Sequence, residues 1–273
     1  MILSTHGIIG SSVTVASGDA DALAFFTAAG ITDTTQKSAV NTLVTDLKAA
    51  NIWTKMKALY PFVGGTAAQH RFNLKSPGTT NANFYLTFNG GGLHSSNGYK
   101  PNGTTTYVDT FFNPSVNLSS ATSNNHMSLY IRENIDEPKV DMGCFTVTPQ
   151  GVAFDIESRF SGNAYYQNFR SNNYITFAST DSRGLHINTR TSSNLQKVFI
   201  NSTVKGTDTV TTTNNINANI SIAARYNNQN NAYEFRSSKE IAFSSIGDGL
   251  TDADAANFYT AVQAYQTTLG RQV

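Results

Sequence analysis

Asp155 and Glu157 stand one residue apart in "GVAFDIESRF", where Val152, Phe154 and Ile156 alternate with Ala153, Asp155 and Glu157. On a strand, that spacing turns both carboxyls to one face, about 7 Å apart along the chain. Paired carboxyls are what glycoside hydrolysis needs, at about 5–5.5 Å for a retaining mechanism. Arg159 follows closely. The expectation is a solvated strand face, not a catalytic pair.

A second acidic group lies in "ENIDEPKVD": Glu133, Asp136, Glu137 and Asp141. Calcium takes about six to eight oxygens, so Asp136, Glu137 and Asp141 are candidate calcium ligands. Their spacing matches no fixed calcium loop, and a solvated acidic loop with no bound cofactor is the default. His6, His70, His94, His126 and His186 are scattered without the short spacing of a zinc site. Gly90-Gly91-Gly92 is followed by neither Lys-Ser/Thr nor a helix, so it reads as a long hairpin loop and not a phosphate cradle. No Gly-x-Ser-x-Gly nucleophile elbow occurs. The single cysteine, Cys144 in "MGCFTV", is expected to be a small buried hydrophobe.

A third group is aromatic. Tyr99, Tyr107, Tyr165, Tyr166 and Tyr174 fall in or near stretches rich in Asn and Gly. Tyrosine rings stack on sugar faces while amides bond hydroxyls, so these five are the candidate glycan-binding rim. Tyrosines bridging core and solvent are the plainer alternative.

Composition narrows the partners. The 273 residues carry net charge +1, and only 14% are charged, against about 25% in an ordinary globular chain. No basic stripe is present to hold nucleic acid, and no Lys/Arg cluster to hold an anionic membrane. No apolar run approaches the roughly 20 residues that span a bilayer. "MILSTHGIIGSSVTV" has no basic leader region, so the expectation is synthesis in a cytoplasm without a signal peptide.

The elements that must position these groups change period along the chain. Residues 1–17 read as a strand or an arm that orders on a partner. Residues 19–29 read as a short helix ending at Gly30, and 33–57 as a longer one capped by Asp33, with Val40, Leu43, Val44 and Leu47 as its stripe. A matching Gly-x-Thr-Asp opening recurs at Gly249–Asp252. It leads into a C-terminal helix with Phe258, Ala261, Val262, Tyr265 and Leu269 on one side. From residue 58 the period is two: "HRFNLKS", "NFYLTFNG", "HMSLYIRE", "YITFAS", "LHINTR", "KVFINS", "NISIAARY", "AYEFRS" and "IAFSSI" all alternate. No helix separates these runs, so parallel βαβ units are excluded and two face-to-face antiparallel sheets are expected. The division is 1–57, an arm and helical hairpin for docking and assembly, and 58–273, the sandwich with its terminal helix.

The later half resembles a known family. "LQKVFINSTV" followed by "NISIAARYNNQNNAYEFRSSKEIAFSSIGDGLTD" is similar to the closing strands of concanavalin-A-like, laminin-G-like jelly rolls. "HMSLYIREN" resembles their central strand. Asn201-Ser202 stands where the family's usual Asn-Gly would be, so that turn need not be a tight two-residue one. Glycanases of this fold use Glu-x-Asp-x-x-Glu. Here the order is Asp155-x-Glu157, with Phe160 in place of the third acid, which argues against an enzyme. "ALYPFVGGTAAQHRFNLKSP" and the terminal helix most resemble versions in bacteriophage tail and virion proteins.

The resemblance implies a mainly β, antiparallel jelly-roll sandwich in a virion structural protein of tail, baseplate or fibre. It would assemble with other virion proteins, as a homo-oligomer, and touch a host-surface glycan. A lectin-like carbohydrate-binding module is the alternative, and a glycan hydrolase a third. The helical hairpin would pack on this sandwich or on a neighbouring subunit.

Overall fold

The computed structural model describes residues 18–147, 151–170 and 173–273. The strand or arm expected over 1–17, with His6, lies outside them.

The chain opens with helices α1 (Ala20–Ala29) and α2 (Thr34–Ala49), then enters strand β1 (Met56–Tyr60). A helical turn α3 (Ala67–His70) precedes four short strands: β2 (Thr87–Asn89), β3 (Leu93–Ser95), β4 (Gly98–Lys100) and β5 (Tyr107–Asp109). After the turn α4 (Pro114–Asn117) come β6 (Asn125–Ile131), β7 (Met142–Thr146), β8 (Val152–Phe160), β9 (Asn163–Arg170), β10 (Ile175–Ala178), β11 (Gly184–Ser192), β12 (Leu195–Ile200) and β13 (Thr203–Asp208). Strands β14 (Ser221–Ile222), β15 (Arg225–Asn227), β16 (Ala232–Glu234) and β17 (Ile241–Gly247) lead to helix α5 (Asp252–Thr268).

The strands form two sheets. The first runs β13-β12-β11-β6-β17-β4-β3, with β1 also on β17; the second runs β10-β9-β8-β7-β14-β5-β2, with β15 and β16 attached. Every pairing between strands is antiparallel except β15 on β7. Period-two side chains from both sheets meet in one core. Met127, Leu129, Ile131 and Ile246 of the first sheet face Met142, Cys144, Phe154, Ile156 and Tyr166 of the second. Cys144 is a buried free thiol, as its apolar run implied, and burial drives its pKa above the ordinary range.

The opposite face of the first sheet is also closed. Tyr130, Leu185, Ile187, Phe199 and Phe243 point away from the sandwich core and pack beneath α1, α2 and α5, against Phe25, Val40, Leu43, Val44, Phe258, Val262 and Tyr265. The hairpin and the terminal helix therefore bury their stripes side by side on this chain's own sheet. This is why β6 is buried at every position, although its sequence alternates.

Each helix is placed by local chemistry. Asp33 Oδ1 accepts from the Gln36 amide at 2.8 Å. Thr251 and Asp254 complete a reciprocal capping box. Lys55 and Lys197 tie the start of α5 to β1 and β12 through Asp254 (2.6 Å) and Asp252 (2.7 Å). At the far end the buried Arg271 guanidinium donates to the carbonyls of Phe62 (2.9 Å), Pro61 (3.2 Å) and Ala242 (3.1 Å), fixing the C-terminus over the sheet.

Four expectations change. The second helix ends at Ala49, because Asn51 adopts a left-handed φ of 59° and the chain turns so that Trp53 and Met56 are buried. "HRFNLKS" is not a strand: it follows α3 as turns, with Phe72 and Leu74 buried under the helical layer. The Gly90–Gly92 loop is no hairpin but a crossing from β2 in the second sheet to β3 in the first. Asn201-Ser202 does form a tight two-residue turn between β12 and β13, with Asn201 itself taking the positive φ of 57° that Gly usually supplies.

Candidate functional site

Among the described residues, no helix covers the outer face of the second sheet. Inward Phe154 and Ile156 force Asp155 and Glu157 outward along β8. On β9 the inward Tyr166 likewise turns Tyr165 outward, and Tyr165 pairs directly with Glu157. Tyr174 comes alongside just ahead of β10, edge-to-face with Tyr165 at 5.7 Å between centroids. Arg225 enters from β15, and Phe235 follows β16 with a left-handed φ of 50° that leaves it 45% exposed. Glu157, Tyr165, Tyr174, Arg225 and Phe235, together with Val140 and Phe160, line a cavity of about 400 Å³.

Four aromatic rings line this cavity together with the charged side chains of Glu157 and Arg225. The Arg225 guanidinium lies 4.7 Å from the ring centres of both Phe145 and Phe235. It faces Asp155 at 3.9 Å and Glu234 at 3.5 Å. Asp155 is fully buried: one oxygen accepts the Gln167 amide at 3.1 Å, while Oδ2 has no hydrogen-bond partner. Room for it comes from Gly143 on the neighbouring β7, where a Cβ would sit 2.6 Å from that of Asp155. Glu157 is 8% exposed. Desolvation, reinforced by the adjacent Asp155 charge, drives its pKa well up; desolvation raises that of Asp155 as well, against the pull of Arg225.

The solvated strand face expected for Asp155 and Glu157 is therefore corrected. Both are buried, since β7, β9 and β15 close over them, and their cation is Arg225 rather than Arg159. Arg159 turns to Asn134 and Asp136 instead.

The five tyrosines separate. Tyr165 and Tyr174 meet in the cavity. Tyr107 is on the same sheet but outside the cavity, stacked on Tyr233 at 3.7 Å with Arg236 above it. Tyr99 and Tyr166 are core residues, which corrects their assignment to the rim. Tyr166 donates to or accepts from His186 Nδ1 at 2.6 Å inside the sandwich. Adjacent residues on a strand face opposite ways, so only one of Tyr165 and Tyr166 was able to reach solvent.

Glu137 and Asp141 of the acidic loop converge, but on a lysine. Lys239, fully buried, puts its ammonium 2.9 Å from Asp141 and 3.5 Å from Glu137, occupying the place a cation would take. Ser158 and Ser237 complete the Asp141 shell, and its pKa is lowered despite burial. Asp136 accepts from the Gly162 amide instead. His70 and His94, distant in sequence, come together with their Nδ1 atoms 3.0 Å apart, and burial lowers the pKa of His70 to about 3. Among the described residues, no three His, Cys, Asp or Glu side chains gather as metal ligands.

A larger cavity of about 620 Å³ lies between α1 and α2, lined by Leu23, Phe26, Ile31, Lys37 and Asn41 among others. It offers one ring, Phe26, and no carboxylate.

No family model and no curated protein matches the sequence. Solved structures do match. The binding domain of botulinum neurotoxin serotype D is 9% identical over 77% of this chain, with a TM-score of 0.50. The chain spans about half of that protein, 52%. Domain 4 of a GH43 extracellular arabinanase from Geobacillus stearothermophilus, solved with arabinotriose, is 15% identical; 75% of this chain covers 98% of it at a TM-score of 0.45. The NanB sialidase from Streptococcus pneumoniae is 12% identical over 58% of this chain and 26% of its own, at 0.42. The first of these shows a shared β-sandwich fold.

Proposed function

We propose that this chain is a lectin-like carbohydrate-binding module, and that its ligand sits in the cavity on the outer face of the second sheet. The observation that carries this reading is the convergence of Phe160, Tyr165, Tyr174 and Phe235 around Glu157 and Arg225. Exposed rings contribute flat apolar platforms for a sugar ring, and a few fixed polar groups set its orientation. A shared fold with a toxin's binding domain supports a binding role at the level of architecture only.

Binding without cleavage fits the same geometry. Asp155 is closed off from solvent and holds the Gln167 amide, so it has no path to an anomeric carbon. The virion setting suggested by the terminal motifs would give this cavity a host-surface glycan as its target. The test is a glycan array probed with the wild type and with Tyr165→Ala/Tyr174→Ala. Saccharide capture lost in the double variant supports the reading. An array with no captured saccharide, or capture unaffected by the double variant, removes it.

A further inference from the structure

More carboxyls than cations gather at the cavity. Asp155, Glu157 and Glu234 surround a single guanidinium, that of Arg225. Arg225 faces Asp155 and Glu234, with the Phe145 and Phe235 rings each 4.7 Å away, and its buried Nε has no hydrogen-bond partner. The Asn227 and Asn230 amides add further bonds to Glu234. Glu157 has no such support: among the described residues no donor bonds it, and burial outweighs the nearby charges in its effect on the carboxyl. Glu157 is buried as a residue and lines the cavity, and the neighbouring Asp155 Oδ2 has no hydrogen-bond partner.

A carboxyl left in this state asks for a cation from outside. The walls point the same way. The faces of Tyr165, Tyr174, Phe160 and Phe235 carry negative quadrupole charge, and rings around a carboxylate are a favourable environment for an ammonium. An acidic sugar would meet Glu157 at the cavity surface and a guanidinium that already faces two carboxylates. A neutral sugar would leave the Glu157 carboxyl protonated and without an ionic partner.

We propose that the cavity selects saccharides bearing a free amine, such as de-N-acetylated hexosamine oligomers, with the sugar ammonium paired to Glu157. This rests on the carbohydrate-binding reading above and narrows it to a substrate class. Binding has a proton balance. Glu157 sits among Asp155, Arg225, Glu234, Tyr165 and Tyr174, with the Asp141–Lys239 pair behind β8. In the empty cavity it retains a proton past the ordinary carboxylate range; pairing with an ammonium expels that proton to solvent.

The experiment is calorimetric titration of the full chain with four probes: a glucosamine oligomer, its N-acetylated counterpart, an oligogalacturonate and the non-sugar amine lysine amide. Each is run in two buffers of different ionisation enthalpy, at a pH where the sugar amine is protonated. The expected result is on the order of tenfold tighter binding of the glucosamine oligomer than of the other three, with proton release. In Glu157→Gln, whose thermal melt confirms folding, both the preference and the proton release vanish. Equal or tighter binding of the N-acetylated or acidic oligomer overturns the amine inference and leaves saccharide binding standing. Equal binding of lysine amide overturns the saccharide part. Binding of none overturns both.

Discussion

The two sheets of this molecule have the same construction and opposite outer faces. On the first sheet, alternate positions outside the core are Tyr130, Leu185, Ile187, Phe199 and Phe243, and three helices seal them. On the second, the equivalent outward positions are Gly143, Phe145, Asp155, Glu157, Tyr165, Gln167 and Arg225, and no helix among the described residues covers them. One face is an apolar seam that stabilises the chain. The other holds unsatisfied carboxyls and half-open rings, features that cost stability and make sense where a ligand arrives. Stability and binding should therefore respond to different residues.

The largest effect is expected on the covered face. Phe258→Ala empties a fully buried site under α5 and should cost about 3–5 kcal/mol in denaturant unfolding, without changing saccharide affinity of the folded fraction. Lys239→Met tests the buried charges at the rim of the open sheet. It strands Asp141 without its ammonium and should cost about 3 kcal/mol at neutral pH. That loss shrinks as pH falls through the lowered pKa of Asp141, because the carboxyl then takes up a proton. Tyr174→Ala, on the open face, should leave stability within about 0.5 kcal/mol. It should weaken the bound saccharide by about 1 kcal/mol, read by titration.

The smallest effect concerns Glu157 alone. Its folded-state pKa is raised, so the folded chain binds more protons than the unfolded one above the ordinary carboxylate range. Stability from this group is complete below the unfolded pKa and falls as pH rises toward the folded one. Glu157→Gln removes that fall. It should be more stable than wild type at alkaline pH, by on the order of 1 kcal/mol, and indistinguishable at acidic pH. Equal pH profiles would mean that the carboxyl is better neutralised than the geometry indicates.

Much of the covered face was legible in the sequence. Capping residues Asp33, Thr251 and Asp254 and the stripes at Val40–Leu47 and Phe258–Tyr265 fixed the helices, and period-two runs fixed the core strands. Where they would dock was not, since an apolar stripe does not name its partner. The open face was legible only in pieces. Asp155, Glu157, Tyr165 and Tyr174 stood out by type and spacing, yet their burial depends on β15 arriving parallel to β7 from about eighty residues away. Arg225, Phe160 and Phe235 looked like ordinary strand residues until that arrival gave them a role. Tyr99 and Tyr166 were misassigned by composition of the neighbouring loops. Strict alternation already separated Tyr166 from Tyr165.

The most direct test follows backbone amide shifts by NMR while a saccharide captured by the chain is titrated in. The account predicts perturbations concentrated at Glu157, Tyr165, Tyr174, Arg225 and Phe235, with the helical layer silent. Shifts centred on α1, α2 or α5, or spread evenly over the chain, would contradict it.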